Sequence, residues 1–382
     1  MTERANTPKL RFPEFNNDWT TNQAKNLFTN VSDKKHDGDL LVLSATQDKG
    51  MVPRQDLDLE IKYDKKNLSN YKRTLPNDFI ISLRSFQGGF ELNTIEGIVS
   101  PAYTVLRGEE ELAQPKFFKQ YFKSIRFIKK LDSMIYGIRD GKSISYKEFS
   151  TFSINYPSIL EQQKIGDFFS KLDRQIELEE QKLEKLEEQK KGYMQKIFSQ
   201  ELRFKDENGE KFSDWQIITL GQLSDIKTGS LDANAMVPNG KYKFFTCARE
   251  TYQIDKYAFD TEALLISGNG ANVGYIHYYK GKFNAYQRTY VLDNIQNDIN
   301  FIKYYLERYL IKRIYSEKRD GNTPYITRST LYDMSISIPL AKLEQNKIGN
   351  FFTKFDELIE KQSDKIELLK ERKKGFLQKM FV

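Results

Sequence analysis

Few residues of this chain are of the types that do chemistry, and their spacing does not assemble a catalytic set. Gly268-Asn269-Gly270-Ala271-Asn272-Val273-Gly274 follows a strand-like run, the context in which a glycine-rich loop can cradle a phosphate or cofactor. Its spacing is GxGxxxG, no clear helix follows, and Tyr275-Ile276-His277-Tyr278 reads as another strand. The segment is therefore predicted to be a hairpin turn. The matching stretch of the first half, Arg84-Ser85-Phe86-Gln87-Gly88-Gly89, has a different pattern. A shared cofactor loop should not vary that way; a loop that reads a variable target should. His36 and His277 are the only histidines and Cys247 the only cysteine, so the usual His/Cys transition-metal cluster cannot be built. Nothing points to a Ser-His-Asp site, and surface or hydrogen-bonded roles are expected for both histidines. A single cysteine cannot form an internal disulfide and suggests a reducing compartment.

The elements that must position such residues follow from size and charge. A chain of 382 residues is expected to hold two or more domains. Its 39% hydrophobic and 30% charged residues, with 27 Phe and 22 Tyr, fit a globular protein with real cores and a highly charged surface. The net charge of +7 favours an anionic partner such as nucleic acid. Met1 to Leu10 is polar and lacks the apolar stretch of a signal peptide. No segment approaches the roughly 18 consecutive apolar residues of a membrane span, so a cytoplasmic protein is expected.

An internal duplication organises the rest. Residues 160–198 and 343–381, aligned without gaps at an offset of 183, match at 22 of 39 positions. Leu10-Arg11-Phe12 followed by Trp19 recurs as Leu202-Arg203-Phe204 followed by Trp215. Arg139-Asp140-Gly141 recurs as Arg319-Asp320-Gly321, and Pro157 and Pro339 both precede the repeated block. Between these signposts the two halves diverge strongly. The period is about half the chain, which predicts a two-fold pseudo-symmetric molecule rather than a solenoid.

The repeated blocks read as long helices. Ile165, Phe168, Leu172, Ile176, Glu179, Leu183, Leu186, Lys190, Tyr193 and Ile197 fall at alternating spacings of three and four. Ile348, Phe351, Phe355, Ile359, Gln362, Ile366, Leu369, Lys373, Phe376 and Met380 repeat that register, polar at the same two steps. Each is a heptad seam on a helix about 57 Å long. The expected partner is the other copy, running antiparallel, with the globular regions at opposite ends; homodimerisation is the competing reading. Phe169 and Phe352 form a second apolar shoulder that could serve another protein. Gly166, Gly192, Gly349 and Gly375 sit at matched helical positions, where Gly costs about 1 kcal/mol. Close backbone packing or an early hinge would explain them. The two blocks carry net charges of −1 and +2, so +6 of the +7 lies elsewhere.

Each variable region is expected to be α+β with a mostly antiparallel sheet. In the first, 40–43, 79–83 and 103–106 look like strands, and Phe117 to Lys130 like an amphipathic helix. In the second, 243–245, 263–267 and 289–292 look like strands, and Phe301 to Ile314 like the helix.

With its duplicated LEQ-KIG-FF-K-D-I block preceded by Pro, its RDG segments and its LRF…W segments, the chain resembles the DNA specificity subunits of Type I restriction–modification enzymes. The resemblance covers essentially the whole chain. It implies two target-recognition domains, 1–157 and 201–339, and two conserved spacer helices, 158–200 and 340–382, paired as an antiparallel coiled coil. It implies a split, asymmetric DNA target, one half-site per domain. It also implies a complex with two methylation subunits, and with restriction subunits when DNA is cut. Adenine-N6 methylation with S-adenosylmethionine, and cleavage with ATP and Mg, would belong to those partners; no cofactor or metal is expected on this chain. Asn322-Thr323-Pro324-Tyr325 faintly echoes the Asn-Pro-Pro-Tyr of adenine methyltransferases, but lacks the first proline and has no counterpart in Gly141-Lys142-Ser143-Ile144. A turn near DNA is the preferred reading. A stand-alone methyltransferase or nuclease, and a coiled-coil interaction protein, are the alternatives.

For DNA reading, Lys and Arg serve phosphates, Arg suits guanine, and Asn and Gln suit adenine. The candidates are polar residues of divergent loops. In the first region they are Arg84, Ser85, Gln87, Tyr103, Arg139, Lys142 and Ser143. In the second they are Arg249, Asn269, Asn272, Gln287, Arg288, Arg319, Asn322, Thr323 and Arg328. Arg139 and Arg319 are shared, which suits phosphate contact or domain structure, with Asp140 and Asp320 as their partners. The helix-pair or subunit interface is assigned to Ile165, Phe168, Phe169, Leu172, Ile176, Leu183, Leu186, Ile348, Phe351, Phe352, Phe355, Ile359, Ile366 and Leu369.

Overall fold

The computed structural model describes residues 7–46, 50–57, 65–82, 89–135, 144–317 and 323–382. Two compact units emerge, Met1–Glu180 with Asp364–Val382, and Gln181–Ser363. Both repeated blocks are helical, over Ile159–Phe198 and Lys342–Lys379, so each long helix contributes one part to each unit.

In the first unit, β1 (Thr20–Gln23) pairs antiparallel with β10 (Ser153–Tyr156), the strand that leads into the first long helix. β2 (Phe28–Val31), β9 (Thr104–Gly108), β6 (Phe79–Ile81) and β7 (Phe90–Leu92) form an antiparallel four-stranded sheet in that order. β3 (Leu43–Thr46) pairs with β4 (Gly50–Pro53), and β5 (Lys72–Thr74) with β8 (Gly97–Val99). The strand expected over 40–43 begins only at Leu43, and Leu41 is exposed. The expected helix over 117–130 is two helices, α1 (Pro115–Tyr121) and α2 (Ile125–Ile135). Ser124 causes the break: its hydroxyl accepts the Phe127 amide and caps a new helix start. A short α3 (Tyr146–Ser150) opens on a Ser145–Glu148 capping box. The core is a cluster of phenylalanine rings, among them Phe28, Phe90, Phe118 and Phe122.

The first long helix is α4 (Ile159–Phe198). In the second unit, β11 (Trp215–Thr219) pairs with β18 (Ser335–Pro339), repeating the β1–β10 arrangement. α5 (Leu220–Leu223) leads into β12 (Asp225–Thr228). The six-stranded sheet runs β12, β17 (Thr289–Asp293), β15 (Phe259–Ser267), β16 (Ile276–Ala285), β13 (Tyr242–Phe245) and β14 (Tyr252–Ile254). All pairs are antiparallel except β13–β16. α6 (Ile299–Glu317) packs on this sheet, followed by α7 (Arg328–Tyr332) and the second long helix, α8 (Lys342–Lys379).

Within each unit the helices run antiparallel and make matching contacts. In the first unit Phe168 meets Phe376 at 5.1 Å, Phe169 meets Phe381 at 5.8 Å, and Asp173 pairs with Lys373 at 2.7 Å. In the second, Phe351 meets Tyr193 at 5.3 Å, Phe352 meets Phe198 at 5.7 Å, and Asp356 pairs with Lys190 at 2.6 Å. The polar steps of the seam are thus occupied: Glu179 pairs with Lys365, and Gln362 is buried. Burial pushes the Asp356 carboxyl up, but hydrogen bonds from Lys190 and Tyr304 and the Lys303 charge hold it below the usual carboxylate range.

The seam residues Ile165, Ile176, Ile348, Ile366 and Leu369 are buried; Phe168, Leu172, Leu183, Leu186, Phe351, Phe355 and Ile359 are half-buried. Phe169 and Phe352 correct the expected shoulder for another protein. Both are fully buried in the core of their own unit, because α1 and α6 pack against that side of the helices.

Three kinds of polar anchor, each in duplicate, tie helices to domains. Arg11 grips Glu161 bidentately at 2.7 and 2.7 Å, and Arg203 grips Glu344 at 3.1 and 2.8 Å. Gln162 accepts the Gln114 amide and donates to the Pro157 carbonyl; Gln345 accepts the Asp298 amide and donates to the Pro339 carbonyl. The Leu202 amide donates to Lys196 at the end of α4, and the Leu10 amide donates to Lys379 at the end of α8. Gly166 and Gly349 sit at the crossing points. A Cβ at Gly166 would lie 2.9 Å from the Phe117 nitrogen, and one at Gly349 2.4 Å from Asp298 Oδ1. Gly192 and Gly375 have nothing within 4 Å, so close packing inside this chain explains two of the four glycines and leaves the other two unexplained. Among the described residues no helix is long and apolar enough to cross a membrane.

Candidate nucleic-acid interface

The second unit gathers four loops at one end of its sheet. The turn between β15 and β16, Gly268 to Tyr275, is the expected hairpin: Gly274 donates to the Ser267 carbonyl, and Ser267 to that of Tyr275. Gly270 and Gly274 take φ of +79° and +81°, which a side chain would strain. Gly268 donates to the Arg288 carbonyl, in the turn between β16 and β17. Its own carbonyl accepts the Ile326 amide from the segment ahead of α7. The Cys247 thiol, in the β13–β14 loop, donates to the same Arg288 carbonyl at 3.4 Å. The glycine pattern therefore serves backbone joinery between the loops.

This cluster brings together most of the described candidates of the second region. Arg249 is exposed, with its guanidinium 5.5 Å from the Tyr275 ring centre. Arg288 is exposed in the turn between β16 and β17, and Arg328 is exposed at the start of α7, 6.0 Å from the Tyr332 ring. Among the described residues, none of these three arginines has a carboxylate partner. Asn269 is half-buried in the hairpin and Thr323 is exposed. Two candidates are engaged within the protein. The Asn272 amide donates to the Cys247 carbonyl at 3.2 Å, tying hairpin to loop, and that of Gln287 donates to Asp232 at 2.8 Å. Sequence reasoning missed Tyr275 and Tyr325, which stand exposed among the arginines. Tyr325 lies three residues before Arg328, but only the fold brings Tyr275 beside Arg249.

His277 lies beneath the cluster, its ring nitrogen Nε2 bonded to the Ala248 carbonyl at 3.0 Å. Burial lowers its pKa, against the opposing effect of that bond. His36 is held between the Tyr71 carbonyl and the Gly38 amide. Among the described residues no His/Cys/Asp/Glu group has metal-binding geometry.

In the first unit, Arg84, Ser85, Gln87, Arg139, Lys142 and Ser143 lie outside the described residues, as do Arg319 and Asn322 in the second and the Asp140 and Asp320 paired with the shared arginines. Tyr103 is half-buried against the small Leu43–Ile80–Val105 cluster. Its carbonyl accepts the Lys72 ammonium at 2.6 Å. Burial, then the nearby Lys34 charge, lowers the Lys72 pKa. This Lys34–Lys72 pair marks a cationic spot that sequence reasoning passed over.

The comparisons with known proteins point to one family. The family model described as "Type I restriction modification DNA specificity domain" matches residues 16–188 and 212–370. The chain is 40% identical over 165 residues to the Type I restriction enzyme EcoDI specificity subunit of Escherichia coli, covering 43% of this chain and 36% of that protein. It is 25% identical over 268 residues to the Type I restriction enzyme MjaVIII specificity subunit of Methanocaldococcus jannaschii, covering 60% and 62%. The matches thus span between about a third and three fifths of these relatives' lengths. By structure, the chain is similar to the crystal structure of the S subunit of a Type I restriction–modification system from M. genitalium. The TM-score is 0.67 at 17% identity, covering 98% of this chain and 99% of that one. A second structure, from work on assembly and conformational transition of the type I R-M system, gives a TM-score of 0.57 at 18% identity over 95% and 97%. Two α+β domains, each joined to parts of two duplicated antiparallel helices and each matched by its own copy of the family model, establish that this chain belongs to the Type I restriction–modification DNA specificity family.

Proposed function

We propose that this chain is the DNA-reading, non-catalytic member of a Type I restriction–modification complex working in the cytoplasm. Residues 1–157 and 201–339 act as recognition domains, each reading one half of a bipartite target, and 158–200 and 340–382 act as the helices that fix the spacer. Two methylation subunits dock on the assembly and transfer a methyl group from S-adenosylmethionine to adenine N6; restriction subunits cut with ATP and Mg. No cofactor is assigned to this chain. The observation that carries this reading is the loop cluster of the second unit. Backbone hydrogen bonds join four loops, and the exposed Arg249, Arg288 and Arg328 on them have no carboxylate partner among the described residues. Such arginines suit phosphates or the O6/N7 edge of guanine.

The test is to map N6-methyladenine in cells with and without the chain. A bipartite motif lost on deletion is expected. Within that motif, Arg288→Ala should relax one position of one half-site, at a cost of about 1–3 kcal/mol for the correct base. An unchanged methylation map, or a purified chain that methylates or cuts DNA unaided, would sink the proposal.

A further inference from the structure

The loops are not the only part of this end of the second unit that faces outward. The second half of α6 presents Arg308, Ile311, Lys312 and Tyr315 at spacings of three, one and three, one stripe of the helix. All four are exposed, Tyr315 by 56%, while Leu306, Leu310 and Ile314 on the other side are buried in the core. The stripe is continuous with the reading loops: a Cβ on Gly274 would lie 2.7 Å from Ile311 Cδ1, so the hairpin rests directly on it. Among the described residues, Arg308 and Lys312 have no carboxylate partner. Their neighbours do: Lys303 pairs with Glu307, and Arg313 with Glu317.

The first unit also carries exposed cations on its corresponding helices, at other positions and another spacing. Its α1–α2 pair takes the place of α6, since the Gln114 and Asp298 amides are held by Gln162 and Gln345, and Gly166 and Gly349 contact the two helix starts alike. On α2, Arg126 and Lys129 are exposed, three apart, and likewise lack a carboxylate partner among the described residues. The helix dipole accounts for neither helix's cations: Lys312 lies ahead of the last turn of α6, and Arg126 stands in the first turn of α2, where the dipole opposes a cation.

We propose that this helix face is a sequence-neutral phosphate grip, holding the DNA backbone beside the bases that the loops read. It deepens the DNA-reading proposal and rests on it. Exposed cations with no carboxylate partner among the described residues, two on α6 and two on α2, favour a polyanion over a protein, which the exposed Ile311 and Tyr315 would otherwise suit. The test uses the full chain assembled with its methylation subunits and carrying Arg308→Gln with Lys312→Gln, titrated against duplexes of the mapped target and of single-base variants over a salt series. Affinity should fall by the same factor on every duplex, and the slope of log K against log salt should become shallower by about 1.8, the loss of two phosphate contacts. Arg126→Gln with Lys129→Gln should do the same. Unchanged affinity and slope would overturn the grip. So would loss of the methylation subunits from the purified complex with DNA affinity retained, which would mark a protein-binding face. An unsubstituted complex that holds all duplexes equally would overturn the underlying DNA-reading proposal and this one with it. That outcome is visible before any variant is made.

Discussion

At the scale of single residues, the duplicated arginine–glutamate grips are the most exposed to test. Glu344 is fully buried, accepts two hydrogen bonds from Arg203, and takes a third from the Trp215 indole at 3.2 Å. Removing one charge of a buried pair leaves the other without compensation, and typically costs about 3–5 kcal/mol. Glu344→Gln keeps the shape and one acceptor, so a loss near 3 kcal/mol is expected in chemical denaturation of the isolated chain, with Glu161→Gln close behind. A loss below about 1 kcal/mol in both would mean that the grips do not hold domain to helix. Arg11 and Glu161 lie 150 positions apart, so no local pattern pairs them. The repeated LRF and LEQ triplets marked both groups as shared without saying that they touch. The same blindness covers the partners of Asn272 and Gln287. As residue types they suit adenine, but their amides bind Cys247 and Asp232, partners that only the fold supplies. The exposure of Arg249, Arg288 and Arg328 was readable, because a loop arginine needs no partner to be noticed.

At the scale of elements, the four matched glycines separate two physical situations. A methyl group at Gly166 or Gly349 meets backbone or an N-cap oxygen at the helix crossing, whereas one at Gly192 or Gly375 meets open space. In an exposed helix Ala is favoured over Gly by about 1 kcal/mol. Gly192→Ala and Gly375→Ala are therefore expected to raise the melting temperature of the isolated chain, and Gly166→Ala and Gly349→Ala to lower it. Equal effects at all four would contradict the crossing geometry. Periodicity identified α4, α8 and α6 because long helices repeat their apolar stripe many times. It also found β6, β9, β13, β15 and β17, whose short apolar runs are buried. It failed at Ser124, where one hydroxyl cap outweighs a continuous amphipathic pattern, and at Leu41, where an apolar residue is left exposed.

At the scale of the whole molecule, the heptad seam gives the proposed spacer a mechanical test. Each helix passes from one unit to the other, between Glu180 and Gln181 in α4 and between Ser363 and Asp364 in α8. Every antiparallel contact named above is internal to one unit, so residues added at both passage points leave each unit's own contacts intact. Seven residues are the natural increment, because a heptad rotates a straight helix by only about 20° and keeps the seam in line. Seven residues add about 10.5 Å at 1.5 Å per residue, which corresponds to about three base pairs at 3.4 Å each. A chain with one heptad inserted after Glu180 and one after Ser363 is expected to keep both half-sites and lengthen the unspecified spacer between them by about three base pairs. Mapping N6-methyladenine in cells that carry only this variant reads the spacer directly. An insertion in α4 alone should instead put the two helices out of step, since Asp173 must still find Lys373 while Lys190 must still find Asp356. That variant is expected to lose stability or activity rather than move the spacer. A paired insertion that methylates the original motif would show that something other than these helices sets the distance.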